Sequence, residues 1–284
     1  MAGSMVNLDD KVEKLLALLK SFRSCAVAFS GGLDSSVLAK AAQMSLRNDA
    51  VAVTGVSDSI ARAELDGCRS MADQIGIRHH LIDTDELSNT DYQRNTADRC
   101  YHCKNELFAK LKVLANELNI EIIVDGSNID DDKEHRPGRR AAAELGVRSP
   151  LAECQLTKEE LRQIAADWQL PIWNKPATPC LSSRIAYGET VTSERLAMVE
   201  RAEAFLRKRG FEPLRVRYHK GDVARIEVLK AQMPKIFDAV FQESLTEHLH
   251  EIGFKYISVD LEGFRSGSLN EMLATEDLEI RSSR

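Results

Sequence analysis

The sequence predicts an α/β protein: a doubly wound parallel sheet followed by a smaller α+β domain. Two observations carry this expectation. Between residues 24 and 168, short apolar runs alternate with stretches whose apolar residues recur at helical spacing, the order that βαβ units produce. After about residue 185 the order becomes helix, strand, strand, helix, strand, which fits an α+β arrangement. The chain has 284 residues, 43% of them hydrophobic, which suffices for one large domain and a second, smaller one. The expected domains are 1–188 and 189–284.

Taken in order, residues 8–22 read as an amphipathic helix and 24–29 as a buried strand. A helix is expected over 34–46, a strand over 50–56, a helix over 61–75 and a strand over 78–83. Residues 105–118 place Leu107, Phe108, Leu111 and Leu114 on one helical face. "EIIVD" (121–125) is a fourth strand. Helices follow over 139–145 and 158–168, with Pro150 and Leu151 near a short strand between them. In the second domain a helix over 193–208 has Thr192 or Ser193 as its cap. Strands over 214–219 and 223–228 are joined by a tight "KGD" turn; a helix over 233–249 and a strand over 256–261 complete the chain.

The formal net charge of −6 argues against a strongly basic nucleic-acid binder. No apolar stretch approaches a membrane span and no signal peptide opens the chain, so a cytoplasmic protein without membrane partners is expected. Six cysteines in such a protein are not a disulfide framework. Cys25 and Cys68 fall in apolar or helical contexts and read as buried filler. Cys100 and Cys103 form a C-x-x-C just before a helix, and Cys180 lies in a proline-punctuated loop.

"AFSGGLDSSVL" (28–38) puts small residues where a strand passes into a helix. A helix N-terminus offers N–H groups and the positive end of the helix dipole, and glycines let an anion approach closely. No Gly-Lys-[Ser/Thr] follows, so this is not a Walker loop, and the third glycine of a dinucleotide fingerprint is missing. A plain turn with an N-capping Asp is the alternative. "DGSNIDDD" (125–132) follows the fourth strand, where a doubly wound fold binds its ligand; Gly126 would let a nucleotide pass, and the acidic run is either a Mg²⁺ aid or an exposed charged loop. "SGGLDSS" resembles the pyrophosphate loop, or PP-loop, of the N-type ATP pyrophosphatases. The resemblance implies that Ser30, Gly31, Gly32, Ser35 and Ser36 hold the phosphates of ATP, and that Asp34 positions the loop and Mg²⁺.

Cys100, Cys103 and Cys180 can hold a [4Fe–4S] cluster through three thiolates, leaving one iron open. Structural zinc would want a fourth ligand, and a redox C-x-x-C would leave Cys180 without a role. "RSPL", "LPIWNKPATPCLSSRI", "LRVRYH" and "DLEGFRSGSLN" together resemble the LarE family along nearly the whole chain. Members are ATP-dependent sulfur transferases that make the nickel-pincer nucleotide cofactor of lactate racemase. The resemblance implies a small-molecule substrate, pyridinium-3,5-biscarboxylic acid mononucleotide, whose carboxylates are adenylated and converted to thiocarboxylates. One branch sacrifices the sulfur of a lone cysteine. This chain also carries Cys100 and Cys103, like the three-cysteine branch, for which a cluster and an external sulfide or sulfur donor are implied.

Arg215 and Arg217 alternate on a strand and point to one face; the resemblance assigns them the substrate phosphate, and a solvated strand face is the alternative. Ser183 and Arg184, close to Cys180, are candidates for the reacting centre, Arg184 also for substrate binding. Arg265 and Ser266 are further candidates that a helix cap or subunit contact explains as well. A homo-oligomer built through the C-terminal domain is also implied. A tRNA 2-thiolation ATPase and a non-catalytic nucleotide- or metal-binding module remain as alternatives; the first should show a basic RNA-binding surface or further C-x-x-C pairs.

Overall fold

The computed structural model describes residues 7–133, 137–176, 178–265 and 267–269. Its elements in chain order are α1 (Leu8–Lys20), β1 (Cys25–Ala28), α2 (Leu33–Leu46), β2 (Ala50–Val56), α3 (Arg62–Ile75), β3 (Arg78–Asp83), α4 (Thr90–Gln93), α5 (Arg99–Glu117) and β4 (Ile122–Val124). There follow α6 (Pro137–Glu144), α7 (Pro150–Glu153), α8 (Lys158–Asp167), α9 (Ser193–Arg207), β5 (Leu214–His219), β6 (Val223–Val228), α10 (Met233–Ile236), α11 (Ala239–Ile252) and β7 (Tyr256–Val259). Contacts divide the chain into two units. One holds the residues up to Ser57, Arg62–Glu86 and Cys100–Thr178; the other holds Asp58–Ala61, Leu87–Arg99 and the chain from Pro179.

The first unit is the expected parallel sheet, in the order β3-β2-β1-β4. Alternate residues of its strands enter two cores. Cys25, Val27, Ala50 and Ala52 pack with α1, α2, α3 and α8; Ala26, Ala28, Val51 and Val53 pack with α5 and α6. A parallel sheet covered on both faces needs strands that are apolar throughout, as β1 and β2 are. The chain winds from β1 through β2 to β3, then returns to place β4 on the other side of β1. This reversal opens a crevice at the C-terminal ends of β1 and β4, where open α/β sheets bind ligands.

Three elements differ from expectation. α5 begins at Arg99, so the C-x-x-C lies inside its first two turns rather than before it. The stretch around Pro150 is a short helix, because proline suits the first helical position; Arg148 alone makes a parallel bridge, to Val124. The helix expected over 233–249 is two helices. Asp238 stops the first from running on by accepting the N–H of Phe241 at 3.0 Å as the cap of α11.

In the second unit, β5 and β6 form an antiparallel hairpin and β7 adds parallel to β6. Gly221 and Asp222 make the turn with positive φ, 83° and 58°. Leu214, Val216 and Tyr218 stand on one face of the hairpin, in register with Val228, Ile226 and Ala224. Arg215 and Arg217 stand on the other, opposite Glu227 and Arg225. α9 packs against β5 and α11. Among the described residues no helix is long and apolar enough to cross a membrane.

Candidate active site

Buried β1 delivers the chain to a turn that only small residues can make. Gly31 has φ +64°, and a Cβ there would meet Cys68 Sγ at 2.9 Å and Cys68 Cα at 3.2 Å. Gly32 is the N-cap of α2 and supplies no side-chain acceptor to its first turn. Ser35 ties the loop together: its Oγ accepts from Ser30 N at 3.2 Å, lies 3.1 Å from Ser30 Oγ and donates to Gly32 O at 3.2 Å. Ser36 Oγ and Asp34 Oδ1 are buried without a partner. Buried polar atoms in proteins are normally satisfied, so two in one turn mark a place for an outside group. A helix N-terminus with an unmet hydroxyl suits a phosphate, and beside it the unmet carboxylate oxygen suits a cation such as Mg²⁺.

The loop after β4 closes on this turn. A Cβ on Gly126 would stand 3.0 Å from Ser35 N and 3.2 Å from the carbonyl carbon of Asp34. Asp125 holds that loop in shape, accepting from Ser127 N at 3.2 Å, Ser127 Oγ at 2.9 Å and Ser149 Oγ at 2.7 Å. Asp131 accepts from Asn128 N at 3.1 Å, and Asp130 accepts from Lys158 N at 2.8 Å. These carboxylates of the acidic run bond to backbone of their own turn and of α8.

Sequence reasoning missed Lys158. Its Nζ donates to Asp34 Oδ2, across 124 residues of chain. The Thr157–Glu160 capping box fixes it at the start of α8, and that signal was present in "LTKEEL". The pair is half-exposed, at 40% and 23%, so it is worth about 0–1 kcal/mol.

In the second unit, Cys180 immediately precedes the turn Leu181–Arg184. Arg184 is buried. Its Nε donates to Glu203 Oε1 at 3.1 Å, and its Nη1 donates to the carbonyls of Pro179 and Cys180 and to Ser183 Oγ, the last two at 2.9 and 3.0 Å. Ser183 Oγ itself donates to Cys180 O at 2.7 Å. Ser183 and Arg184 thus shape the backbone around the thiol. The residues that clamp the loop from outside were not foreseen. Arg99 Nη1 donates to Ser182 O at 2.8 Å, Tyr92 Oη lies 2.6 Å from Ser182 Oγ, and Leu181 N donates to Ser59 O at 2.7 Å.

Arg215 and Arg217 do not lie on a solvated face; both are buried. Arg217 donates to Ser183 O at 3.0 Å, Glu227 Oε2 at 2.9 Å and Ser268 Oγ at 3.1 Å, while its Nε is buried without a partner. Arg215 lies over the Phe264 ring at 5.2 Å; burial, then the Arg184 charge, push its pKa down to about 10. Burial acts to raise the Glu203 carboxyl, but Arg184, Arg207 and Arg215 hold it below the usual carboxylate range. Arg265 pairs with Asp260 and Glu262, and Ser266 lies outside the described residues.

The cysteines divide by exposure. Cys100 is exposed and Cys103 and Cys180 partly so, whereas Cys25, Cys68 and Cys154 are buried. Burial pushes the Cys25 thiol up to about 12 and raises those of Cys68 and Cys154. Ligation and attack need thiolate, which burial of this kind disfavours. Cys100 and Cys103 are one turn apart on α5, so their side chains share a helical face. They belong to the first unit and Cys180 to the second; among the described residues no three His, Cys, Asp or Glu side chains form a ready metal-binding group.

The strand–loop–helix cradle at a sheet switch point is that of a PP-loop domain. In agreement, residues 7–109 match the asparagine synthase family. The chain is 36% identical, over 96% of its length and 99% of the relative's, to pyridinium-3,5-bisthiocarboxylic acid mononucleotide synthase of Lactiplantibacillus plantarum. It is 44% identical, over 94% of its length and 99% of the relative's, to an uncharacterized protein of Synechocystis. A Methanocaldococcus jannaschii protein is 29% identical over 84% of this chain and 90% of its own. The chain belongs to the LarE family.

Proposed function

We propose that the protein is an ATP-dependent sulfur transferase that converts pyridinium-3,5-biscarboxylic acid mononucleotide to its thiocarboxylates, a step towards the nickel-pincer cofactor of lactate racemase. The observation that carries this reading is the near-full-length likeness to a synthase named for the bisthiocarboxylic product. The phosphate cradle with its unmet Ser36 and Asp34 atoms supports it.

In this reading Ser30, Gly31, Gly32, Ser35, Ser36 and Gly126 hold ATP, and Asp34 positions the loop and Mg²⁺. A substrate carboxylate oxygen attacks the α-phosphorus, the bond to the β-phosphate oxygen breaks, and pyrophosphate leaves with its charge stabilised by the loop. Sulfur then adds to the carbonyl carbon of the acyl-adenylate and AMP departs with the C–O bond electrons. Arg215 and Arg217 bind the substrate phosphate bidentately. Ser183 and Arg184 hold the backbone that presents Cys180. Residues 1–188 handle ATP; 189–284 bind substrate and build a homo-oligomer.

Three accessible thiols are the right donors for an iron–sulfur cluster: Cys100 and Cys103 as a helical pair and Cys180 as the third. A cluster so held would supply an open iron for sulfide from an external donor. The test is iron and acid-labile sulfide on protein purified without oxygen. About four irons per chain, lost in Cys100→Ala, is the expected result. Iron-free protein that thiolates substrate once, losing sulfur from Cys180, would replace the cluster with a sacrificial cysteine. Cys103→Ala should form the adenylate and release pyrophosphate yet insert no sulfur.

A further inference from the structure

The polar face of the hairpin holds more unmet nitrogens than Arg217 alone supplies. His219 ends β5 two residues beyond Arg217, on the same face. Arg217 stands opposite Arg225 and His219 opposite Val223, so Arg225 is the diagonal neighbour of the imidazole. Nε of Arg217, Nε of Arg225 and Nε2 of His219 are buried without a hydrogen-bond partner. The remaining guanidinium nitrogens are engaged. Arg217 donates to Ser183, Glu227 and Ser268; Arg225 Nη2 donates to Glu227 Oε1 at 3.1 Å, and its Nη1 lies 3.4 Å from Asp260 Oδ2. Three unmet nitrogens on neighbouring side chains, two of them on fixed cations, point to an oxyanion as the partner.

We propose that His219 and Arg225 complete an oxyanion site with the free edge of Arg217, and that His219 takes up a proton as the anion binds. The anion is a phosphate dianion, the terminal group of a mononucleotide. This rests on the reading of this face as the substrate's phosphate subsite and names the residue that adjusts its charge to the ligand.

The charges around the ring give the direction of the proton. Facing it are Arg217 on its own strand, Arg225 and Glu227 on β6, and Glu189 shortly before α9. Burial, then Arg225 and Arg217, hold its pKa below the usual imidazole range; Glu227 and Glu189 pull the other way and lose. Without an anion the imidazole is therefore neutral near pH 7. A dianion seated between the ring and the two guanidinium edges cancels their repulsion and adds an attraction of its own. The pKa rises, and the imidazolium donates its Nε2–H in a charge-assisted bond.

The test titrates sulfate into the full-length protein and counts protons by calorimetry in buffers of different ionisation enthalpy. Sulfate is a dianion whose own charge stays fixed where histidine titrates, so any proton comes to the protein. Wild type should take up protons on binding, and its affinity should rise by up to about tenfold per unit fall in pH while His219 titrates. His219→Gln should bind sulfate with no uptake and a flat profile over that range; His219→Asn repeats the comparison should the Gln variant melt early. Arg225→Gln should weaken binding by roughly tenfold, the share of one charge-assisted hydrogen bond. Uptake that persists in His219→Gln overturns the assignment and moves the proton to Glu227 or Glu189, and sulfate binding without uptake in wild type overturns it equally. Nicotinate that draws the proton as strongly as sulfate overturns phosphate as the occupant. Uptake with sulfate in a protein that binds no pyridinium mononucleotide overturns the substrate reading alone; wild-type protein that binds no sulfate overturns this inference and the phosphate subsite together.

Discussion

Replacing Gly126 by Ala tests the closure of the cradle directly. The new methyl would meet Ser35 N at 3.0 Å and both the carbonyl carbon of Asp34 and Ser35 Cα at 3.2 Å. All three are backbone atoms in the first turn of α2, and none can rotate aside as a side-chain end could. Either the loop after β4 or the turn itself must shift. Overpacking of this kind costs about 1–3 kcal/mol. For a folding unit of this size the melting temperature falls about 2–4 °C per kcal/mol. The shift also displaces the N–H groups that a phosphate would meet, so ATP binding should suffer beyond the loss of stability. Thermal melting with and without Mg·ATP separates the two, because bound ligand raises stability with the logarithm of its concentration relative to Kd. Gly67→Ala in α3 is the control of opposite sign. Nothing lies within 4 Å of its would-be Cβ, and alanine in a helix interior gains about 0.5–1 kcal/mol over glycine. A Gly126→Ala protein that melts with wild type and keeps the full ATP shift would refute the close approach of the two loops.

Glu203→Gln leaves Arg184 buried without its counter-charge and should cost about 3–5 kcal/mol in denaturant unfolding. The same carboxylate predicts acid sensitivity: its folded pKa lies below the ordinary 4.5, so its stabilisation is complete above 4.5 and is lost as pH falls from there through the lowered folded value. The glutamine variant should lack this part of the acid transition. Arg217→Lys keeps the charge but cannot reach Ser183, Glu227 and Ser268 together. KM for the phosphorylated substrate should rise about tenfold, and a substrate analogue without phosphate should show no change.

The parts of the fold set by neighbours in sequence were legible in it. Apolar β1, two glycines and the serines of the first helical turn announce a strand, a tight turn and a helix start within eleven residues. The alternation of strands and helices sufficed for the parallel sheet. Even two misread elements had local signals: Pro150 at the first position of α7, and Asp238 before Phe241 at the start of α11. The start of α5 had none, because "RCYHCK" carries no apolar period. Its first residue, Arg99, is held by Asn95 and by the carbonyl of Ser182, a partner 83 residues away. The partners of Lys158 and Arg184 are of the same kind. Arg184 is a candidate by its nearness to Cys180, but spacing along the sequence does not encode the arrival of Asp34 or Glu203 from elsewhere in the chain.

The charges of the second unit carry the argument one step further. Arg184, Arg215 and Arg217 are buried, and among the described residues Glu203 pairs with Arg184 and Glu227 with Arg217, both carboxylates buried. Arg207 and Arg225, partly exposed, lean on the same two carboxylates. Guanidinium groups taken from water cost stability even where carboxylates meet them, and a core of apolar residues of similar volume would be at least as stable. The lowered pKa of Arg215, with burial first and Arg184 second among its causes, is the local sign of that cost. An arriving anion relieves it. Inorganic phosphate should therefore raise the melting temperature more than chloride at equal ionic strength, and Arg217→Lys should shrink the difference. Equal melting in the two salts would mean that Glu203 and Glu227 already balance the arginines, leaving this face of the hairpin nothing to offer a substrate phosphate.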